Sequence, residues 1–383
     1  LIIAYMLPIF WISNKMGAGF FPHFMLADEV ARIGELEQQF GFIKNSAADL
    51  ATVPKGLAGI TKAHSAVNAT PWAFISLALA MMMGTASLPH VMMRYFTTPS
   101  VKAARKSVGW SLFFIFLLYS SAPMLATLSK LSLIDPTLPT GIIGKSFAEV
   151  QALSWFQNWN SANLMFISDF NGNGTLELNE FFMGGKAVVL ATPEIAGLPY
   201  VISGLVAAGG MAAAMSTADG LILAIANAIS HDVYYKMIDP KAETAKRLLV
   251  ARVLLVVIGF AGATIAAMEI QGILGSVIWA FDFAMSGLFF PLVLGVWWKR
   301  ANREGAIAGM VLGLGSAIWY LVWVRTGGSG FLGLTQLTFG IFGAAVSFVA
   351  MVVVSLMTSA PEAAIQKMVD EVRIPSGRTV TGR

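Results

Sequence analysis

The twelve residues from Asp169 to Glu180 read Asp-Phe-Asn-Gly-Asn-Gly-Thr-Leu-Glu-Leu-Asn-Glu and fill every position of a D-x-[DN]-x-[DN]-G-x5-E loop. Asp169, Asn171 and Asn173 offer side-chain oxygens at positions 1, 3 and 5, and Gly174 permits the sharp turn at position 6. Thr175 offers its carbonyl, Glu177 a direct or water-mediated contact, and Glu180 a bidentate carboxylate. This donor set suits calcium, a hard cation; the alternative is a polar turn of Asn and Gly that binds nothing. Only three carboxylates and no obvious paired second loop predict weak binding, about 10⁻⁴–10⁻³ M, and a structural role.

A second constellation is Ala213-Ala-Ala-Met-Ser-Thr-Ala-Asp-Gly220, inside a long apolar run. Gly209, Gly210, Ala212, Ala213 and Ala214 allow a neighbouring helix to come close. Ser216 and Thr217 bring two hydroxyl oxygens to that face, and hydroxyls with backbone carbonyls suit sodium, another hard cation. Asp219 follows Ser216 by three residues, so the two nearly share a face and Asp219 is a candidate for ion coupling. The competing reading is that both hydroxyls bond back to the preceding turn and that Asp219 lies near water.

Asp282 is a second candidate for ion coupling, in Phe281-Asp-Phe-Ala-Met-Ser286. An unpaired carboxylate at such a position needs a partner, a proton or a cavity, unless it sits among the headgroups. Finally, Gly84-Thr-Ala-Ser-Leu-Pro-His90 predicts a helix that kinks or opens near Thr85, because Pro89 removes a donor and clashes one turn back. Thr85 and Ser87 are candidates to meet a small polar solute, with Trp72 and Phe74 nearer the outer mouth.

The elements that must position these residues are membrane helices. Hydrophobic residues make up 56% of the 383, charged residues 12%, and mean hydropathy is +0.71; soluble domains carry about 25% charge. Apolar runs of spanning length fall at 1–13 (partial), 71–93, 108–128, 197–228, 248–268, 273–297, 306–325 and 334–357. Three basic clusters, around Arg94 to Lys106, Lys236 to Arg252 and Lys299 to Arg303, alternate with loops at 14–70, 129–196, 269–272 and 326–333. The positive-inside rule therefore places both ends of this chain, including the tail 358–383, in the cytoplasm. The segment 14–70 predicts a short helix among its mixed charges. The tail predicts a frayed, solvated end after an amphipathic stretch from Pro361 to Val372. With no initiator Met ahead of Leu1, and a first run too short to span, the sequence reads as an N-terminally truncated fragment of a transmembrane domain, 1–357.

A pI near 9.2 does not indicate nucleic acid, since the basic residues sit in short loops between apolar blocks. The chain has no cysteine, so no thiol or disulfide chemistry is available. It has no H-E-x-x-H, Ser/His/Asp set or Gly-rich phosphate loop, and its four histidines are scattered, so it does not read as an enzyme.

Three stretches resemble the sodium:solute symporter family, most closely its acetate-permease-like branch: Gly84 to His90 continuing through Met93-Arg-Tyr-Phe-Thr97, Ala213 to Gly220, and Gly295-Val296, Arg300, Gly305-Ala306, Gly309 and Gly313. The resemblance implies an all-α polytopic membrane protein with the LeuT-type fold of two inverted repeats, about eight segments of it in this chain. It implies sodium at the Ala213 carbonyl, Ser216 and Thr217, with further ligands from an upstream helix. It implies import of a small organic anion, a short monocarboxylate such as acetate, across the inner membrane. Proline-, pantothenate- or sugar-type solutes are the alternative within transport, and a calcium-responsive membrane sensor is the alternative outside it.

Overall fold

A computed structural model describes residues 2–15, 26–40, 71–268, 270 and 272–373. The rest of the 14–70 segment, Glu269 and the basic end of the tail lie outside the described residues. In chain order, α1 is Ile2–Lys15 and α2 is Leu26–Gln39. α3 is Pro71–Ser87, and after Leu88 comes a short α4, Pro89–Met92, with a 3₁₀ turn Met93–Thr97. α5 is Val101–Ile134. It is followed by α6 (Phe147–Gln151), α7 (Ser154–Ser161), strands β1 (Met165–Ile167) and β2 (Phe181–Met183), and α8 (Val188–Ile195). α9, Tyr200–Asn227, continues as a π-helix, Ala228–Ile238, and α10 is Thr244–Ala267. α11, Ile273–Ala284, passes through a π-helical stretch, Met285–Phe289, into α12, Phe290–Trp297. α13 (Arg303–Arg325), α14 (Gly340–Met357) and α15 (Ala363–Val372) complete the order.

Among the described residues, six stretches are long and apolar enough to cross a membrane: Val101–Ile134, Tyr200–Ile238, Thr244–Ala267, Ile273–Trp297, Arg303–Arg325 and Gly340–Met357. α1 and α3 are apolar but shorter. Side chains such as Phe116, Val256 and Phe260 stand exposed on these helices. In a bilayer that exposure carries no hydrophobic penalty, whereas every backbone donor must be satisfied within a helix.

Two compact units divide the chain: Leu1–Ala66 with Val108–Ser216, and Val67–Ser107 with Thr217–Arg383. The first has its own core, built where α5 ends and α6, α7, the β1–β2 hairpin and α8 fold around Leu131, Ile134, Ile142, Phe156, Met165 and Phe181. The strands pair antiparallel, Met165 opposite Met183. Ile33 carries α2 into this core. Charge fixes the docking: fully buried Lys130 of α5 pairs with buried Glu37, and Arg32 pairs with Asp135 while donating to Thr137 Oγ1 at 3.1 Å. Removing one partner of such a buried pair costs about 3–5 kcal/mol, because the other charge is left without its counter-ion.

In the second unit, glycines set the packing. Gly305, Gly309, Gly313 and Ala317 recur every fourth residue along α13, and all four are buried. A Cβ at Gly309 would stand 3.1 Å from Met351 Cβ and from the Ser347 carbonyl oxygen; one at Gly313 would stand 2.6 Å from Ser347 Cβ. α14 answers with Gly343, whose added Cβ would meet Ala317 Cβ at 2.8 Å. The two helices thus run antiparallel with their backbones nearly touching, as small-residue stripes permit. At one end Arg300 donates to the Thr358 carbonyl at 2.6 Å and the Ser359 carbonyl at 3.2 Å, occupying acceptors that α14 leaves open. Asn302 caps α13 by accepting from the Gly305 N–H at 2.9 Å, and donates to Thr358 Oγ1 and the Ser359 carbonyl.

The tail differs from the solvated end its sequence predicts. α15 is an ordered helix with Val369 buried; Lys299 pairs with Asp370 at 2.7 Å, and the Arg373 guanidinium lies over Trp297. Lys299 and Arg373 hold the Asp370 carboxyl below its ordinary range. These contacts bridge residues about 70 apart, which an amphipathic pattern alone does not reveal.

Candidate ion and substrate site

α9 presents Ala213, Ser216 and Thr217 within one turn, at i, i+3 and i+4, so that a carbonyl and two hydroxyls share one side of the helix. Ala213 is half-buried; Ser216, Thr217 and Asp219 are exposed. Among the described residues, the dry, packed surroundings that an ion site needs are therefore not supplied at those positions. Asp219 stands about midway along the continuous helical stretch Tyr200–Ile238.

The break in the third helix falls at Leu88, three residues beyond the expected Thr85. Proline pushes the residue before it out of the helical region, and Leu88 is accordingly extended (φ −70°, ψ 117°) while Pro89 opens the next helix. Thr85 Oγ1 donates to the Met81 carbonyl at 2.6 Å, and Ser87 Oγ to the Met83 and Gly84 carbonyls at 2.9 Å. Both hydroxyls are thus tied to their own helix. Trp72 and Phe74 are each 46% exposed at the other end of α3. With a rise of about 1.5 Å per residue, roughly 20 Å separates Trp72 from Thr85, so one small solute cannot touch both.

Beside the break lies a cleft of about 600 Å³, lined by Pro89, Met93, Ala224, Ile225, Asn227, Ala228, His231 and Asp232. It opens where α9 turns π-helical, a geometry frequent at functional sites. No sequence motif marks Asn227, His231 or Asp232 as site residues. The signal present is an amide interrupting the run Leu221–Ile229.

Asp282 is fully buried, and so is Ser286 one turn later. The structure therefore sets this carboxyl inside the helix bundle and not on its surface.

In the loop 169–180, Gly172 and Gly174 take positive φ, +72° and +70°, as the turn requires. Asp169 accepts from the Gly172 and Gly174 N–H groups, and buried Glu180 from those of Phe170 and Glu177. Asn171 and Asn173 donate their side-chain amides to Glu177, and their oxygens accept from the Asn173 and Thr175 N–H groups. The carboxylates thus brace the loop's own backbone. Among the described residues no group of three or more His, Asp or Glu side chains is gathered closely enough to hold a metal ion.

Comparison with known proteins gives these features a setting. The profile of the Sodium:solute symporter family matches residues 20–132 and 186–313. The chain belongs to the sodium:solute symporter family. It is accordingly a helical, multi-pass membrane chain with the LeuT-type fold. The part of the α5–α8 region from 133 to 185, which holds the hairpin and the 169–180 loop, falls between the two matched stretches. An uncharacterized symporter of Cupriavidus necator is 42% identical over 310 residues, covering 78% of this chain and 44% of that protein. A monocarboxylic acid transporter of Corynebacterium glutamicum is 28% identical over 257 residues, covering 67% of this chain and 39% of that protein. The chain thus spans less than half the length of these curated relatives. The Gly305, Gly309 and Gly313 spacing, read above as a resemblance to a family signature, has a physical basis here: it is the contact face of α13 on α14.

Proposed function

We propose that this chain is part of a sodium-driven symporter importing a small organic anion, most specifically a short monocarboxylate such as acetate. The observation that carries sodium coupling is the one-turn triad of Ala213, Ser216 and Thr217 on an apolar helix of a sodium:solute symporter. Its exposed face is completed, in this reading, by residues outside the chain. The substrate class is drawn from the relative named for monocarboxylic acids. Membrane sidedness belongs to the same proposal: the basic clusters, with Lys299 and α15, lie inside, and the 129–196 region lies outside.

The test is uptake of radiolabelled acetate, propionate, proline and glucose by the full-length protein in proteoliposomes, with and without an inward sodium gradient. Acetate and propionate accumulation that collapses without the gradient is the expected result. Accumulation of proline or glucose alone would replace the substrate, and accumulation indifferent to sodium would remove the coupling.

The 169–180 loop is proposed to take calcium weakly, the ion replacing backbone N–H groups as partner of Asp169 and Glu180. Calcium at millimolar concentration is expected to raise the melting temperature of the wild-type protein by a few degrees, about 1–2 kcal/mol of linkage at ten to thirty times Kd. Glu180→Gln should abolish that rise. An identical melting curve in calcium and in chelator would retire the site.

A further inference from the structure

Asp282 is the one carboxylate in the described membrane helices that is fully buried with no side-chain partner on either oxygen, the Gly340 backbone being the polar group beside it. It sits on α11 immediately before the π-helical stretch Met285–Phe289. The backbone of Gly340, the first residue of α14, lies directly against its Oδ1. The Met285 methyl also lies beside Gly340, and the Phe283 and Phe339 rings pack 5.1 Å apart, so the immediate surroundings are apolar.

The charged and titratable groups around it are few. α3 and α14, which pack on this region, carry none. The loop 331–339 and α12 carry none. α13 brings Tyr320, whose hydroxyl donates to the Phe331 and Leu334 carbonyls at 3.1 Å, and Arg325, whose guanidinium lies over the Trp279 ring at 5.1 Å. Its Arg303 and Glu304 stand at the opposite end of that helix. Oxygen ligands for a metal cation are scarce too. Ser286 Oγ donates to the Asp282 carbonyl at 2.7 Å and the Gly340 carbonyl at 3.1 Å, and Thr338 Oγ1 accepts from the Thr335 N–H at 2.8 Å. A sodium ion needs several oxygens, whereas a proton needs one.

One segment joins the neighbourhood of the carboxyl to the surface of this unit. Trp279 Nε1 donates to the Gln336 carbonyl at 2.8 Å, which sets the segment before α14 alongside α11. Along that segment exposure falls from Gln336, which is exposed, to Thr338, Phe339 and Gly340, which are buried. The segment thus runs from an exposed amide to the Gly340 backbone beside the carboxyl.

We propose that Asp282 is a proton-binding site, loaded from the Gln336 side, whose occupancy sets the rate of uptake. The site extends the symporter reading above and depends on it for transport and sidedness. When the external solution is acidic the carboxyl is neutral and the bundle closes around it. As pH rises the proton leaves, an uncompensated charge remains in an apolar pocket, and the closed arrangement is lost.

Two readouts on the full-length protein test this. Infrared difference spectra recorded against pH should show the carbonyl stretch of a buried carboxylic acid that titrates away on alkalinisation and is missing in Asp282→Asn. Acetate uptake by wild type should fall as external pH rises, approaching about tenfold per unit beyond the midpoint. In Asp282→Asn that slope should flatten to within about twofold, and Asp282→Glu should restore it with a displaced midpoint. An absent acid band in wild type, or an unaltered uptake slope in a monodisperse Asp282→Asn, overturns the site. If wild type transports no monocarboxylate, the functional reading fails, and the infrared titration still decides whether Asp282 exchanges a proton.

Discussion

Thr217→Val in the full-length protein is expected, on the proposed sodium site, to abolish sodium stimulation of uptake at ordinary sodium concentrations while the protein still inserts and purifies normally. Thr217 is exposed in this chain, so replacing its hydroxyl by a methyl group removes an oxygen without opening a cavity. In the proposed site sodium would lose one of a handful of ligands, and at the scale of a charge-assisted contact, about 1.5–3 kcal/mol, its half-saturation should rise between tenfold and a hundredfold. Thr217→Ser retains the oxygen and should stay within about threefold of wild type, roughly 0.6 kcal/mol. The measurement is initial uptake rate against sodium concentration in proteoliposomes of matched protein content. A Thr217→Val transporter with the wild-type sodium curve would remove the hydroxyl from the coupling site. Ser216→Ala is the companion variant, and loss in both against retention in Thr217→Ser separates ion binding from general damage.

Gly313→Val is expected to be the most destabilising single change on the α13–α14 face. The first added carbon already falls 2.6 Å from Ser347 Cβ and collides with the backbone oxygen of Ser286. Neither obstacle is the free end of a flexible side chain, so relief requires moving a helix. Overpacking typically costs about 1–3 kcal/mol, and a collision with backbone belongs at the upper end or beyond. Gly315, two residues along the same helix, has nothing within 4 Å of an added Cβ. Gly315→Val should therefore shift stability by no more than about 0.5 kcal/mol beyond the propensity change. Thermal melting and size-exclusion profiles in one detergent settle the comparison. Equal melting temperatures for the two variants would mean that the close approach described here does not hold the helices together.

Much of this architecture is written in hydropathy, and its limits show where that signal fades. The run 273–297 corresponds to α11, its π-stretch and α12 at the same bounds. The run 108–128 falls inside a longer helix, Val101–Ile134, because charged residues at both ends interrupt the apolar pattern but not the hydrogen-bond ladder. Lys130 reads as a loop residue in the sequence. Its burial depends on Glu37, 93 positions away, and a periodicity argument has no means of finding such a partner. The run 334–357 begins too early for the opposite reason: Leu334, Leu337 and Phe339 are apolar, but Thr335 and Thr338 tie their own backbone and delay the helix to Gly340. At the site, residue type flagged Asp282, yet the sequence left its burial open. The triad on α9 rests on spacing and resemblance, and its exposure could not be read from a segment in which Asp219 alone is neither small nor apolar. Arg300 reads in the sequence as a topology marker and part of a family signature and Asn302 carries no signal there, while their contacts with Thr358 and Ser359 link the ends of two helices.

Those end contacts, together with the glycine face, restrict how α13 and α14 can move. A slide of one turn, about 5.4 Å, would carry Met351 to where Ser347 now lies beside Gly313, and a thioether chain has no room there. The hairpin is keyed against ratcheting, and Arg300 bolts its end. Any rocking that admits solute must therefore treat this pair as one stiff strut. The compliance then falls to places where helical hydrogen bonding is already irregular: Leu88, Ala228–Ile238 and Met285–Phe289.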